Sequence, residues 1–338
     1  MVTTVMSVLL VVGVLLSICL GQLGLPPLSV LHTLLEPLGI NLGFPPEHPN
    51  AAGAIWTIRM PRVVMALLVG AGLAVSGLLM QAIFGNPLAE PGVVGVSSGA
   101  AVGAAGAITL GLSFAGYWTI ALLAFCGGLL TTMFVYFFAR SGGKTEVVTL
   151  LLTGIAVNAF CGAALALFSF LGDTQSREQI VFWQLGSLNG SRWVQVLVVL
   201  PITVLGIAVS FFVVRKLDLL SLGEKSARHL GVNVEALRIA VVVLVSLLVG
   251  AAVAFAGIIS FVGLVIPHLM RMLIGPRHLP LLITSVLGGG LLLTLADLVA
   301  RTAVANSDLP LGMLTALVGG PFFFWLLRRT RKNAGGWA

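Results

Sequence analysis

The chain has 338 residues, of which 58% are hydrophobic and only 9% charged, with a mean hydropathy of +1.11, where a soluble domain carries about 25% charged residues. That composition excludes a soluble globular domain, and it excludes disorder, which requires a polar, charge-rich chain. A net charge of +7 and an isoelectric point near 10.0 would suggest nucleic acid in a soluble protein, but in a membrane protein basic residues first report topology.

Ten apolar stretches follow one another, at roughly 2–20, 63–80, 93–112, 116–139, 147–171, 193–214, 239–256, 257–274, 281–300 and 309–327. They are continuously apolar rather than alternating, which argues against a β-barrel. The expected fold class is all-α: a polytopic membrane protein with about ten transmembrane helices, built as one domain over 1–338. Met1 to Leu20 has no basic residue before its apolar stretch and no small-x-small cleavage site after it, so a first span is expected there rather than a leader. Ile239 to Ile274 is one run of 36 residues. As a single helix it would measure about 54 Å against a hydrocarbon core of about 30 Å, so it must turn back near Phe255-Ala256-Gly257.

Ten crossings place both termini on one side. Thirteen of the 18 basic residues then share that side, and Arg59, Arg62, Arg177, Arg192 and Arg301 lie on the other. The excess makes the first side cytoplasmic and both ends internal. The external segments become 21–62, 172–192, a short link near 256, and 301–308. The longest internal loop is 215–238. Within it Ser221 is placed as an N-cap, Glu224 as its capping-box partner and Gly231 as a helix stop. This predicts an amphipathic helix of two to three turns with Leu222 and Leu230 exposed, lying either on lipid headgroups or against a docking protein.

Glycine accumulates in the spans, and Gly95, Gly99 and Gly103 form a small-xxx-small face suited to close helix packing. Cys19, Cys126 and Cys161 lack any paired spacing and read as small buried hydrophobes. Asp297 is the sole acidic residue inside a predicted span, and His268 the sole Lys or His at mid-membrane. A relay for ion-coupled transport is therefore missing, as is any motif for an intramembrane enzyme. Gly142-Gly143-Lys144-Thr145 ends like a P-loop, but Phe138 stands where that motif needs glycine, and a membrane helix precedes it. ATP binding by this chain is not expected.

Arg59 and Arg62 flank Pro61 at the outer entry of the second span, and Arg301 ends the ninth. They fit either headgroup snorkelling or a basic rim that captures an acidic partner. Gln81 to Gly95 reads QAIFGNPLAEPGVVG, an irregular segment that is either a tight turn or the lining of a path.

The ordered set RMPR (Arg59 to Arg62), GNPLAEPGVVGVSSGA (Gly85 to Ala100), FWQLGSLNG (Phe182 to Gly190), SLGEKSARHLGV (Ser221 to Val232), SFVGLVIPHLMR (Ser260 to Arg271), ADLVART (Ala296 to Thr302) and DLPLGMLTALVGGPFFFWLL (Asp308 to Leu327) resembles the FecCD-type permeases. These are the membrane subunits of ABC importers for ferric siderophores, haem and cobalamin. The resemblance implies a type II importer permease fold and a homodimer in the bacterial cytoplasmic membrane, with two cytoplasmic ABC ATPase subunits and an extracytoplasmic substrate-binding protein as partners. It implies no catalytic residue, metal or permanent cofactor in this chain, ATP-Mg being used by the partner ATPase.

By the same resemblance, Arg59, Arg62 and Arg301 would receive glutamates of the binding protein. Coupling helices over about 217–232 would meet the ATPase through Leu220, Ser221, Leu222, Gly223, Glu224, Ala227, Arg228, Leu230 and Gly231. Gln81, Asn86, Pro87 and Leu88, with Ser141, Gly142 and Thr145, would lie at the cytoplasmic gate, and 328–338 would form a basic cytoplasmic tail. Residues 173–190 resemble haem-type members most. His32, His48, Tyr117 and the nine methionines show no pair with ligand spacing. A cobalamin importer is the alternative, and an ion-coupled carrier the more distant one.

Overall fold

The computed structural model describes residues 1–21, 24–40, 50–116, 118–141 and 144–333. Gly142, His48 and Tyr117 lie outside these residues. Helices α1 (Val2–Cys19), α4 (Met60–Phe84), α5 (Val96–Thr109), α6 (Trp118–Phe138), α7 (Val147–Leu171), α9 (Trp193–Leu220), α11 (Val234–Ala256), α12 (Val262–Ile274), α13 (His278–Thr302) and α14 (Leu311–Asn333) correspond to the ten apolar stretches in order. Between them lie α2 (Pro27–Leu35), α3 (Ala51–Gly53), α8 (Thr174–Leu185) and α10 (Glu224–His229), with a two-residue hairpin of β1 (Arg140–Ser141) and β2 (Lys144–Thr145).

Among the described residues, seven helices are long and apolar enough to cross a membrane by length and composition, while α5, α12 and α14 supply shorter apolar segments. At 1.5 Å per residue α5 and α12 reach only about 20 Å, short of a core of about 30 Å. An irregular segment precedes each. Residues 85–95 enter α5 through a 3-10 turn (Pro91–Val94) between Gly85 and Gly95, both at positive φ. Residues 257–261 enter α12, with Phe261 also left-handed at φ 68°. Both are packed in protein, with Ala89, Pro91, Val94 and Ile259 buried, which is the condition under which non-helical backbone is tolerated at this depth. The long apolar run does turn back where expected: α11 ends at Ala256 and Gly257 leaves it at φ 68°.

The centre of the bundle is α4, flanked by α11 and α13, and its core is largely Ala, Val, Leu and Gly. Without a hydrophobic drive in lipid, close approach of small residues is what holds helices together. Gly70 and Gly289 show it: a methyl on either would overlap the other's carbonyl, so α4 and α13 touch backbone to backbone. Gly99 meets Gly127 of α6 in the same manner, so the predicted small-residue face of α5 is used. By contrast α1, α6, α7 and α9 keep large apolar side chains such as Val8, Phe137, Phe160 and Leu205 on the outside, as lipid or partner contact demands.

Two expectations need correction. The second span begins well before residue 63: the helix runs from Ala51 to Phe84, and its π-helical stretch (Ala54–Arg59) ends just before Pro61, whose missing N–H disturbs the ordinary ladder. The segment 172–192 between α7 and α9 carries helix α8, whose N-cap Asp173 accepts from the Ser176 N–H at 2.7 Å. Ser221 is not an N-cap: α9 runs on to Leu220, and the Ser221 hydroxyl donates back to the Asp218 carbonyl at 2.7 Å. The following helix α10 is six residues long and begins after Gly223 (φ 102°) with no side-chain cap.

Candidate functional site

Two ends of the bundle collect the candidate residues. At the rim end, the π-helical stretch and the first turn of α4 present Arg59 and Arg62, while the last turn of α13 presents Arg301. All three arginines are buried, at 5–8% exposure, and each guanidinium is engaged within the chain. Arg59 Nη1 donates to the Ile18 and Cys19 carbonyls at 2.6 and 2.9 Å. Arg301 donates to the Leu20 carbonyl at 2.9 Å, to the Ser17 hydroxyl at 2.6 Å and to the Ser17 carbonyl. Two cations thus close the C-terminus of α1, where carbonyls lack helical partners and the helix dipole favours positive charge.

Arg62 does something different. Its Nε donates to Asp297 at 2.9 Å, and its Nη1 donates to Asp308 at 2.7 Å. Asp297 is 1% exposed, and a carboxylate so buried persists only if paired. Arg62 from α4 and Arg301, four residues on along α13 with its Nε at 3.5 Å, supply that pairing. The three arginines and Asp308 line an open cavity of about 390 Å³.

At the loop end, the C-terminus of α4 meets α12. Gln81 Nε2 donates to the Leu264 carbonyl at 3.2 Å, and its Oε1 accepts from Arg271 at 2.9 Å. Asn86 accepts from the Leu88 N–H at 2.9 Å, an Asx turn that fixes the bend around Pro87. Asp218 holds the start of α13: its Oδ1 accepts from the His278 N–H at 2.9 Å and lies 2.6 Å from His278 Nδ1. Glu224, at the head of α10, pairs with Arg238 of α11 and, at 3.5 Å, with Arg228.

Gln81 and Pro87 share a cavity of about 500 Å³ with Leu220, Ser221, Gly223 and Glu224, so residues expected at the gate and residues expected to meet the ATPase line one space. Ala227 is buried, whereas Leu222 and Leu230 are 65% and 58% exposed. Gly231 ends the turn at φ 83°. Ser141 pairs with Lys144, and Thr145 with Arg140, in the hairpin after α6.

A model of the FecCD transport family matches residues 9–329. The chain belongs to the FecCD transport family. It is 43% identical over 295 residues to the hemin transport system permease protein HmuU of Yersinia pestis, covering 85% of this chain and 87% of that one. It is 38% identical over 330 residues to the vitamin B12 import system permease protein BtuC of Escherichia coli O9:H4 (strain HS), covering 97% and 94%. A metal-chelate type ABC transporter solved in an inward-facing conformation superposes with a TM-score of 0.84 at 34% identity, covering 97% of this chain and 98% of that one. This FecCD chain is accordingly a multi-pass membrane permease subunit of an ABC transporter with the type II importer fold. It is not itself an enzyme, and ATP hydrolysis resides on a separate subunit.

Several residues that shape the FecCD permease escaped sequence reasoning. Asp308, Ser17 and the carbonyls of the last turn of α1 reach the arginines only through tertiary packing. Asp297 with Arg301 at i,i+4 was a readable signal, since a lone acid in a span must find a cation. Asn158 of α7, which donates to the Gly92 carbonyl at 3.2 Å and accepts from Ser98, lines a third cavity of about 300 Å³ with Ser97 and Gln184. No motif had marked it.

Proposed function

We propose that this chain is the permease of an ATP-driven importer that moves an iron chelate, haem in first place and a ferric siderophore next, across the cytoplasmic membrane by alternating access. Two copies would pair around a central path, with two ATPase subunits on the loop end and a substrate-binding protein on the rim end, both termini cytoplasmic. The observation that carries this reading is the match along almost the whole chain to HmuU, a hemin permease, together with the separation of a basic rim from a leucine-bearing loop at opposite ends of the bundle. The cobalamin alternative is supported by the BtuC relatives.

A docking partner would bring carboxylates to Arg59, Arg62 and Arg301 and release its cargo into the cavity between two copies. Exposed Leu222 and Leu230 would be buried against the ATPase, ATP-Mg being bound there and not by this chain. Its conformational change would reach the gate through α10 and the Glu224–Arg238 pair. The test is uptake into proteoliposomes holding this chain, its ATPase and its binding protein, with haem, a ferric siderophore and cobalamin offered in parallel. ATP-dependent accumulation of haem or the siderophore is expected. Accumulation of cobalamin alone selects the alternative, and accumulation without the ATPase overturns the importer reading.

A further inference from the structure

The rim arginines do not wait empty for a partner. Arg59 and Arg301 are tied to the end of α1, and Asp297 lies sealed between Arg62 and Arg301 at 1% exposure. Asp308 is unlike them. It sits just before α14, its side chain is 16% exposed, and it lines the same open cavity as the three arginines while accepting a hydrogen bond from Arg62 Nη1 at 2.7 Å. Arg301, itself 6% exposed and lining that cavity, has its Nε 3.5 Å from Asp297 Oδ2. The site therefore holds one sealed carboxylate, Asp297, and one at the edge of open space, Asp308.

Resting on the docking role just proposed for this rim, the geometry points to Asp308 as an internal stand-in for the binding protein's carboxylate. It masks Arg62 in the free permease and is displaced when the partner docks. The exchange conserves the number of charge-assisted bonds to Arg62, so it sets the strength of docking rather than permitting or forbidding it. A weak, reversible engagement suits a partner that must leave after each delivery. Asp308 is thus a positioning residue for docking, and Asp297 remains the fixed support beneath it.

The test uses the assembled permease and ATPase and measures the Kd of the binding protein at low and high salt. Asp308→Asn removes the competing charge while keeping the shape. It is expected to tighten docking by about tenfold, the scale of one exchanged charge pair, and to retain most of that gain at high salt because the contact is largely buried. Asp308→Glu keeps a carboxylate and is expected to bind as the parent does. Asp173→Asn, an exposed cap on α8, controls for long-range charge, and any gain it brings should vanish at high salt.

Unchanged or weaker docking by Asp308→Asn overturns the proposal, as does a gain no greater than that of Asp173→Asn at high salt. If Asp308→Asn does not assemble, Asp308→Ser carries the same measurement, and failure of both overturns the proposal by making Asp308 a structural support. Simultaneous charge reversal of Arg59, Arg62 and Arg301 runs alongside. Docking that survives that reversal at low salt sinks the docking role itself, whichever way Asp308→Asn moves.

Discussion

The two ends of this molecule present opposite chemistry to a partner. At the rim end the charges are buried and already matched: Arg59 and Arg301 by carbonyls of α1, Arg62 by Asp297 and Asp308. At the loop end the charges of α10 are half-exposed, and Leu222 and Leu230 stand free of the core. Burial raises the worth of a charge pair and exposure lowers it, whereas an exposed leucine gains only when something covers it. An encounter at the rim must therefore exchange partners, while one at the loop need only exclude water. The first arrangement suits repeated docking and release, the second a lasting subunit contact.

The sharpest way to break this comparison is at Asp297. Replacing Arg62 by alanine leaves a carboxylate with 1% exposure short of its main partner. A loss of about 3–5 kcal/mol in unfolding stability is expected, read from thermal unfolding in detergent, with partial recovery when Asp297→Asn is added. A loss no larger than that of an exposed arginine would show that the rim charges are not structural.

The loop end should answer in function and not in stability. Leu222→Asp with Leu230→Asp is expected to leave unfolding within about 0.5 kcal/mol of the parent, as exposed substitutions do. It should abolish most stimulation of the ATPase by the binding protein. Persisting stimulation would remove these leucines from the coupling contact.

The smallest effect belongs to α8. The Ser176 N–H holds the exposed Asp173 carboxyl below the usual carboxylate range. A depressed acid contributes stability above its unfolded pKa that is lost as pH falls through its folded value. Asp173→Ala is therefore expected to fray the first turn of α8 at neutral pH and to make no difference in strong acid, as read by amide exchange of residues 174–177.

The helical stretches and their order were legible because each span must satisfy its own backbone and repel water along its whole length. The turn at Gly257 was legible from length alone. Boundaries near prolines were not. Pro61 reads as a helix entry, yet a π-helical stretch over Ala54–Arg59 leads into it and the helix starts at Ala51. Ser221 followed by Glu224 reads as a capping box, but α9 continues to Leu220 and Glu224 turns to Arg238 instead. Local capping signals are worth about 1 kcal/mol, and a neighbouring helix or a buried arginine outbids them.

Of the candidate site, the arginines, the coupling loop and the gate turn stood out as residue types in unusual places. Their partners did not, because Arg62 and Asp308 are 246 residues apart and Asp218 and His278 are 60 apart. Composition, the continuity of the apolar runs and the placement of charge determined by themselves that this is a many-spanning helical membrane protein with a distinctive loop. Only the tertiary structure decided that the rim arginines are buried and bonded, which carbonyl or carboxylate holds each, and which carboxylate faces open space. Hydrophobicity is a property of each segment and is written along the chain, whereas the pairing of a charge depends on which helices meet.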